Sequence, residues 1–385
     1  FEEKLVTVFH ELFHIGPHFN GDLRRFEGRC QFHTGSKKNY DAHMGDLVRA
    51  YLADHPRPES LRVHGDVRRI NVDALDHKQV HALIYDMMSD AQRKNFEEHR
   101  ECDFSFDLGD IARFRVNVFI QGRGLGAVFR TIPTQILPLE KLGMPPILRQ
   151  LCDREKGLIL VTGPTGSGKS TTLAAMIDYL NNTYEGHILT IEDPVEFVHK
   201  SKKCLVNQRE LGVHTLSFAN ALRAALREDP DIILVGEMRD LDTIQLALTA
   251  AETGHLVFAT LHTSSAPKTV DRIIDAFPPN QQAQVRAQLS ETLEAVLTQT
   301  LLKKKTGGRV AAVEIMIGTT AVRNLIREAK LHQIPGVMQA SQKDGMQTMD
   351  MALVDLATRG VVTKAEAQSR SMNPNLFGAV MGGAA

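Results

Sequence analysis

The sequence predicts an α/β fold in which helices cover both faces of a parallel sheet. From about residue 137 onward, short and continuously apolar runs occur at 158–162, 188–191, 232–235 and 256–260. Segments with helical periodicity separate these runs. Strands that are apolar on both faces are typical of parallel sheets buried between helices. With 385 residues, the chain is longer than one hydrophobic core usually organises, so we expect more than one domain.

Changes in composition divide the chain into four predicted regions. Residues 1–60 are rich in histidine, and 61–136 mix strand patterns with one long amphipathic helix predicted at 76–93. The α/β pattern occupies 137–372. The last stretch, 373–385, is rich in Met, Gly and Ala, and we expect it to be a disordered tail.

One predicted strand of the second region has a basic face. At 112–119 apolar and polar residues alternate, so that Phe114 and Val116 share one face while Arg113 and Arg115 share the other. Such a strand is expected to bury its apolar face and to leave the basic groups at the surface. A solvated strand face without further function is the alternative interpretation.

The bulk composition is that of a folded soluble protein, with 43% hydrophobic and 24% charged residues. Lys and Arg total 45 against 46 Asp and Glu, so no net charge favours nucleic acid or anionic membrane, and we expect no nucleic-acid partner. Cys30, Cys102, Cys152 and Cys204 are widely spaced, which is typical of reduced cytosolic thiols. No apolar run approaches the roughly 20 residues that span a bilayer, and no secretory signal is recognisable. We expect a cytoplasmic protein without a transmembrane segment.

A phosphate-binding loop is predicted at 163–170. The strand pattern at 158–162 is followed by Gly-Pro-Thr-Gly-Ser-Gly-Lys-Ser and then by a helical pattern at 171–180. This matches G-x-x-x-x-G-K-[ST] in the strand–loop–helix context that the motif requires. In that motif the backbone N–H groups surround a phosphate, Lys169 reaches the outer phosphates and Ser170 ligates Mg²⁺. The sequence therefore predicts a Mg²⁺-dependent ATPase, with these nucleotide-binding residues: Gly163, Pro164, Thr165, Gly166, Ser167, Gly168, Lys169, Ser170 and Thr171.

Two further predicted strands end in acidic residues. The run at 232–235 leads to Glu237, and the run at 188–191 leads to Glu192. A carboxylate at the carboxyl end of a strand beside the phosphate loop can hold Mg²⁺, directly or through water, or can polarise an attacking water. His262 follows a third run, and the pattern leaves open whether it is structural or belongs to the nucleotide site.

These motifs resemble those of the secretion and type IV pilus ATPases. Four segments are similar to the Walker A, Asp, Walker B and His boxes of that family: 163–171, 188–196, 231–240 and 253–263. In addition, Ala-Val-Arg-Asn-Leu-Ile-Arg-Glu at 321–328 resembles the AIRNLIRE signature of the family's pilus retraction motors. The resemblance extends from about residue 61 to residue 377.

The resemblance implies a RecA-like motor domain at 137–372, preceded by a small PAS-like α+β domain at 61–136. It further implies a hexameric ring that uses ATP and Mg²⁺ to power pilus retraction and twitching motility. The ring would act through an inner-membrane platform protein, so that a cytoplasmic protein would be held peripherally at the inner face of that membrane.

Roles for individual residues also follow from the resemblance. Glu237 would activate water, Glu192 would lie near Mg²⁺ and the γ-phosphate, and His262 would sense the γ-phosphate. Three basic residues lie where the family uses arginines of its N-terminal domain to reach nucleotide phosphates: Arg113, Arg115 and Arg130.

Residues 1–60 depart from the family. They stand where its first helix and strand are expected, so the PAS-like domain is predicted to be truncated. They contain H-E-x-x-H, which places His10 and His14 on one face of a helix as in a zinc metallopeptidase, and they resemble a fragment of one. The third ligand that such a site needs is left open among His18, His33, Asp41 and His43. A segment of this size supplies little structure to hold a metal, so we expect a non-functional fusion without zinc.

The sequence leaves three other functions as alternatives. A pilus assembly motor of the same family typically carries a four-cysteine zinc site in its motor domain, where this chain has only Cys152 and Cys204. A regulator that binds nucleotide without hydrolysis would be expected to lack Lys169 or Glu237, and both are present. A zinc peptidase with an appended ATPase would differ from the motor in its zinc content.

Overall fold

The computed structural model describes residues 76–107, 113–122, 124–132 and 135–377. The chain divides into two compact units between Thr134 and Gln135. Each unit has a hydrophobic core of its own.

The described part of the first unit begins with two helices, α1 (His77–Met87) and α2 (Asp90–His99). The prediction of a single long helix at 76–93 was wrong. The Ser89 hydroxyl accepts a hydrogen bond of 3.3 Å from the backbone N–H of Gln92, whose side chain accepts one of 2.8 Å from the backbone N–H of Ser89. This capping box pairs N–H groups that the start of a helix leaves unsatisfied, and it therefore starts a second helix where the apolar periodicity alone continues the first.

Three antiparallel strands follow in the order β1-β2-β3: β1 (Glu101–Asp107), β2 (Arg113–Gln121) and β3 (Gly124–Ile132). The predicted alternation in β2 is confirmed, since Val116 is buried while Arg115 is half-buried. The buried row packs in one core with apolar residues of the two helices.

A seven-stranded sheet forms the centre of the second unit. Its strands are β4 (Gly157–Thr162), β5 (His187–Glu192), β6 (Leu205–Glu210), β7 (Ile232–Val235), β8 (Leu256–Leu261), β9 (Leu293–Lys303) and β10 (Arg309–Ile317). They lie in the order β10-β9-β4-β8-β7-β5-β6, with β9 and β10 antiparallel and the other neighbours parallel. The α/β class and the four predicted strands are confirmed.

Helices connect these strands and cover the sheet. They are α3 (Ile147–Cys152), α4 (Lys169–Thr183), α5 (Phe218–Ala225), α6 (Leu241–Glu252), α7 (Ala266–Asp275), α8 (Pro279–Thr292), α9 (Thr320–Arg327), α10 (Ile334–Ala340), α11 (Met349–Thr358) and α12 (Lys364–Gln368), with short 3₁₀ turns at Leu331–Gln333 and Gln342–Asp344. The apolar residues of α3 to α10 join those of the sheet in one core.

A smaller core lies at the C-terminal end of the second unit. It joins Leu302 of β9 and Ala312 of β10 to Leu353 of α11 and to Phe377. Phe377 is completely buried, although it belongs to the stretch 373–385 for which the sequence indicated disorder. Ordered chain therefore reaches at least this residue, and 378–385 lie outside the described residues.

Each of the described helices is too short or too polar to cross a bilayer.

Candidate nucleotide-binding site

The predicted phosphate loop lies between the end of β4 and the start of α4. Gly163 has a φ of 138° and Gly168 a φ of 89°, a region of backbone conformation that favours glycine. A Cβ atom at Gly163 would collide with the carbonyl oxygen of Gln299 and would lie 2.6 Å from Oγ of Ser167. The loop therefore passes so close to β9 and to its own serine that only glycine fits at its start.

The side chain of Lys169 folds back onto this loop. Its ammonium group donates hydrogen bonds of 2.9 Å to the carbonyl of Gly163 and 3.1 Å to that of Pro164, and it lies 3.5 Å from Nδ1 of His262. The side chain is buried, and burial lowers its pKa even though nearby carboxylates act in the opposite direction. A buried cation whose hydrogen-bond partners are neutral carbonyls favours the approach of an anion such as phosphate.

Other features of the loop fit a bound phosphate as well. Oγ of Ser167 is buried without a hydrogen-bond partner, whereas buried polar atoms are normally paired. The tip of the loop, 164–166, is exposed, so a ligand can reach it from solvent. Ser170 and Thr171 lie half-buried in the first turn of α4, where the N-terminus of the helix attracts negative charge.

Two predicted site residues, Glu237 and His262, lie together beyond the ends of β7 and β8. One carboxylate oxygen of Glu237 lies 2.7 Å from Nη2 of Arg239, and the other lies 3.4 Å from Nε2 of His262. Nη1 of Arg239 also lies 3.7 Å from a carboxylate oxygen of Asp193, so this guanidinium group bridges the segments that follow β7 and β5. The sequence analysis assigned no role to Arg239. Its position two residues after Glu237, the acid that follows β7, was a signal that could have identified it.

Glu237 is ionised at neutral pH. Burial acts to raise the pKa of its carboxyl group, but the hydrogen bond and charge of Arg239, together with His262, outweigh burial and hold the pKa below its usual value. A carboxylate with a lowered pKa is a weak base. The strength of Glu237 as a base therefore depends on whether Arg239 stays bound to it.

His262 connects the lysine of the loop to this acid. Its Nδ1 faces the ammonium group of Lys169, which can only donate, and its Nε2 faces the carboxylate of Glu237, which can only accept. This pattern assigns the neutral tautomer with the proton on Nε2. The predicted histidine thus lies at the site and orders two of its charged groups.

Glu192, at the end of β5, lies beside the turn that carries Glu237. A Cβ atom added at Gly236 would lie 3.1 Å from the Cα of Glu192. The Glu192 carboxylate accepts hydrogen bonds of 2.7 Å from the Thr190 hydroxyl and 3.1 Å from the Gln208 amide. Burial nevertheless raises its pKa to about 7. The two predicted acids therefore differ in protonation near neutral pH, as acid and base groups of active sites often do.

Gln299 of β9 was not predicted and lies directly behind the phosphate loop. Its side-chain amide donates a hydrogen bond of 3.0 Å to the Thr172 hydroxyl of α4, while its side-chain oxygen is buried without a partner. The strand pattern of β9 had no recognised motif, so the sequence offered no signal for this residue.

The predicted basic face of β2 is present in the first unit. Arg115 is the direct cross-strand partner of Arg130 on β3, and Arg113 donates a hydrogen bond of 3.3 Å to the Ser105 hydroxyl. Like charges directly opposite each other on a sheet are unfavourable, so this pair favours binding of an anion.

The predicted zinc ligands, His10 and His14, lie outside the described residues, as do all candidates for a third ligand. In the ranges that the structure describes, no cluster of three or more His, Cys, Asp or Glu side chains is arranged to hold a metal ion. Cys102, Cys152 and Cys204 are free and buried. That part of the chain therefore lacks the four-cysteine site expected of an assembly motor.

Comparisons with known proteins agree with these features. A family model described as "Type II/IV secretion system protein" matches residues 54–373. The "Type IV pilus retractation ATPase PilT" of Pseudomonas aeruginosa is 63% identical over 320 residues, which cover 83% of this chain and 93% of that protein. A "Twitching motility protein" of Neisseria gonorrhoeae is 59% identical over 314 residues, which cover 81% of this chain and 84% of that protein.

A solved structure is also similar. The "Crystal Structure of the Pilus Retraction Motor PilT and Bound ADP" superposes with a TM-score of 0.76 at 51% identity, covering 82% of this chain and 90% of that chain.

Proposed function

The chain belongs to the type II/IV secretion system protein family, and from this membership we propose that it is an ATP-hydrolysing motor that powers type IV pilus retraction and twitching motility. The observation that carries the proposal is the contact chain from Lys169 through His262 to Glu237 beside a complete phosphate loop. Identities of 63% and 59% to a pilus retraction ATPase and a twitching motility protein support the cellular role.

The geometry supports a division of roles at the site. The loop amides and Lys169 bind the phosphates of ATP, and His262 reports on the γ-phosphate through its contact with Lys169. Glu237 accepts a proton from the attacking water once phosphate oxygens compete for Arg239 and free the carboxylate. Glu192, held at the end of the neighbouring strand β5, polarises the same water.

Mg²⁺ is part of the proposal, and the donor set fits it. Ser170 provides a hydroxyl at the position that the motif requires, and Mg²⁺ is commonly bound through one or two protein oxygens, phosphates and waters rather than by an all-protein cage. When bound, Mg²⁺ neutralises charge that develops on the phosphates.

Positive charge from the first unit belongs to the same proposal. Arg113, Arg115 and Arg130 supply guanidinium groups for nucleotide phosphates, supported by the like-charge pairing of Arg115 and Arg130 across two strands. We further propose that the chain assembles into a hexameric ring. The ring acts in the cytoplasm at the inner face of the inner membrane, through a pilus platform protein.

Replacing Lys169 by alanine tests the proposal. We expect nucleotide binding and ATP turnover to be nearly abolished, because Lys169 is the cation that the loop itself holds. The same variant should fail to restore retraction in cells that lack their own retraction motor. Lys343→Ala, at an exposed 3₁₀ turn, is the matched control and should behave like the wild type. ATP binding at wild-type strength in Lys169→Ala would contradict the assignment of the nucleotide site. If the wild-type chain hydrolyses ATP but does not restore retraction in those cells, the motor function is contradicted.

A further inference from the structure

β6 is the edge strand of the large sheet beside β5, and it carries a row of polar residues that nothing in the sequence assigned to the site. In its register, Gln208 lies directly beside Thr190 and Glu210 lies directly beside Glu192. The strand therefore places an amide and a carboxylate next to the end of β5, where the site begins.

Both the nitrogen and the oxygen of the Gln208 side-chain amide form hydrogen bonds at the end of β5 and in the segment that follows it. Its nitrogen donates 3.1 Å to a carboxylate oxygen of Glu192 and 2.9 Å to the carbonyl of Phe197, while its oxygen accepts 2.7 Å from the backbone N–H of His199. Rotating the amide by half a turn would place an acceptor against two acceptors, so the network fixes its orientation.

The segment that these bonds restrain, 193–199, follows Glu192 directly. It is also held by Glu210, whose carboxylate accepts 3.0 Å from the backbone N–H of Val195, and by Glu192 itself, which accepts 3.4 Å from the backbone N–H of Glu196. The segment begins with Asp193, the second partner of Arg239. Side chains of β6 therefore help to hold both the Glu192 carboxylate and the segment whose first residue, Asp193, contacts Arg239.

We propose that Gln208 is a positioning residue for ATP hydrolysis, whose amide holds the Glu192 carboxylate and the 193–199 segment in one arrangement beside the phosphate loop. The inference rests on the proposed function, since it concerns the same hydrolytic site. Gln208 contacts neither the loop nor Lys169 in the described structure, and it acts through Glu192. Removing it should therefore reduce the rate of the chemical step more than the binding of ATP.

Two substitutions separate this role from a purely structural one. Gln208→Met keeps the approximate volume and removes all three hydrogen bonds. Gln208→Glu keeps an acceptor for the His199 N–H but replaces the donor to both Glu192 and the Phe197 carbonyl by a carboxylate. If Gln208 only stabilised the fold, both variants would melt at a lower temperature and keep the wild-type kcat. If it positions Glu192, both variants lose turnover. Asn207→Ala is the matched control, because Asn207 precedes Gln208 on the same strand and is exposed.

The test measures kcat, KM for ATP and melting temperature of the full chain and of each variant. We expect kcat of both Gln208 variants to fall by about tenfold or more, on the scale of a misplaced catalytic group, while KM stays within about twofold and Asn207→Ala keeps wild-type values. A folded Gln208→Glu with unchanged kcat, or with a raised KM as its only defect, overturns the inference but leaves the proposed function intact. If Gln208→Met does not fold, the kcat of Gln208→Glu alone decides whether the inference holds. No turnover in the wild type overturns the proposed function and this inference with it.

Discussion

Replacing Glu237 by glutamine should separate nucleotide binding from hydrolysis. The substitution keeps the shape of the side chain and removes its charge and its capacity to accept a proton. The phosphate loop and Lys169 are unchanged, and the amide can still hydrogen-bond to His262 or Arg239 after rotation. ATP should therefore bind, and the chemical step should be slow.

The magnitude follows from the two parts that Glu237 plays. Loss of a general base costs about 10²- to 10⁴-fold in rate, and we expect a fall of that size in turnover. The cost in folding stability should be small, because Arg239, the partner at 2.7 Å, has a side chain that is 60% exposed. Ion pairs with an exposed partner contribute about 0–1 kcal/mol.

The assay combines three measurements on one preparation. Phosphate release in a single turnover reports the chemical step, a fluorescent nucleotide reports binding, and thermal unfolding reports stability. Glu228→Gln is the matched control, since Glu228 forms an ion pair of 3.2 Å with Arg209 of β6 away from the phosphate loop. The control should hydrolyse ATP at the wild-type rate with a similar melting temperature.

Unchanged turnover in Glu237→Gln would refute the assignment of the base. The base would then be reassigned to Glu192, whose pKa of about 7 matches the pH at which a general base is most effective. Loss of nucleotide binding together with turnover would refute the separation of roles and make Glu237 part of the binding site.

Three further predictions concern Glu192 and α9. The pKa of Glu192 is raised from 4.5 to about 7, so its contribution to stability is fully present below about pH 4.5 and is lost as the pH rises through about 7. Glu192→Gln should consequently gain stability relative to the wild type between these pH values, by at most about 3 kcal/mol; equal pH dependence in denaturant titrations would contradict the raised pKa. In α9, Arg323 donates hydrogen bonds of 2.6 Å to the carbonyl of Gly318 and 2.6 Å to the Glu294 carboxylate, so Arg323→Ala should cost about 2–4 kcal/mol. Arg327, which is exposed, should tolerate Arg327→Ala with normal stability and hydrolysis but lose pilus retraction in cells; retained retraction would show that this face of α9 is not the one that matters.

The sequence was sufficient where one pattern determined one structure. β4, the phosphate loop and the start of α4 follow from a strand pattern and a motif whose glycines have no substitute, as the close approach of Gly163 to Gln299 shows. β7 was predicted with its observed bounds because it is buried on both faces.

Prediction failed where a strand carries polar residues because they bind segments that are distant in the sequence. In β6 the sequence Leu-Val-Asn-Gln-Arg-Glu lacks a continuous apolar run, because Gln208 and Glu210 bind the segment after β5 instead of joining the core. In β9 the buried Gln299 contacts α4. Such residues are recognisable only when their partners, distant in the sequence, are known. The capping box at Ser89 was the opposite case, a local signal that apolar periodicity concealed.

We expect Arg239 to couple the binding of phosphate to the chemistry of this site. Its guanidinium group lies 2.7 Å from Glu237 and 3.7 Å from Asp193. Because the side chain is largely exposed, it has room to move away from both carboxylates. An arriving phosphate carries more negative charge than either carboxylate and accepts two parallel hydrogen bonds from arginine. Arg239 would then leave Glu237, whose pKa would rise toward its usual value because the cation that lowered it has gone. The carboxylate would become a stronger base only when substrate is present, which restricts proton transfer to the occupied site.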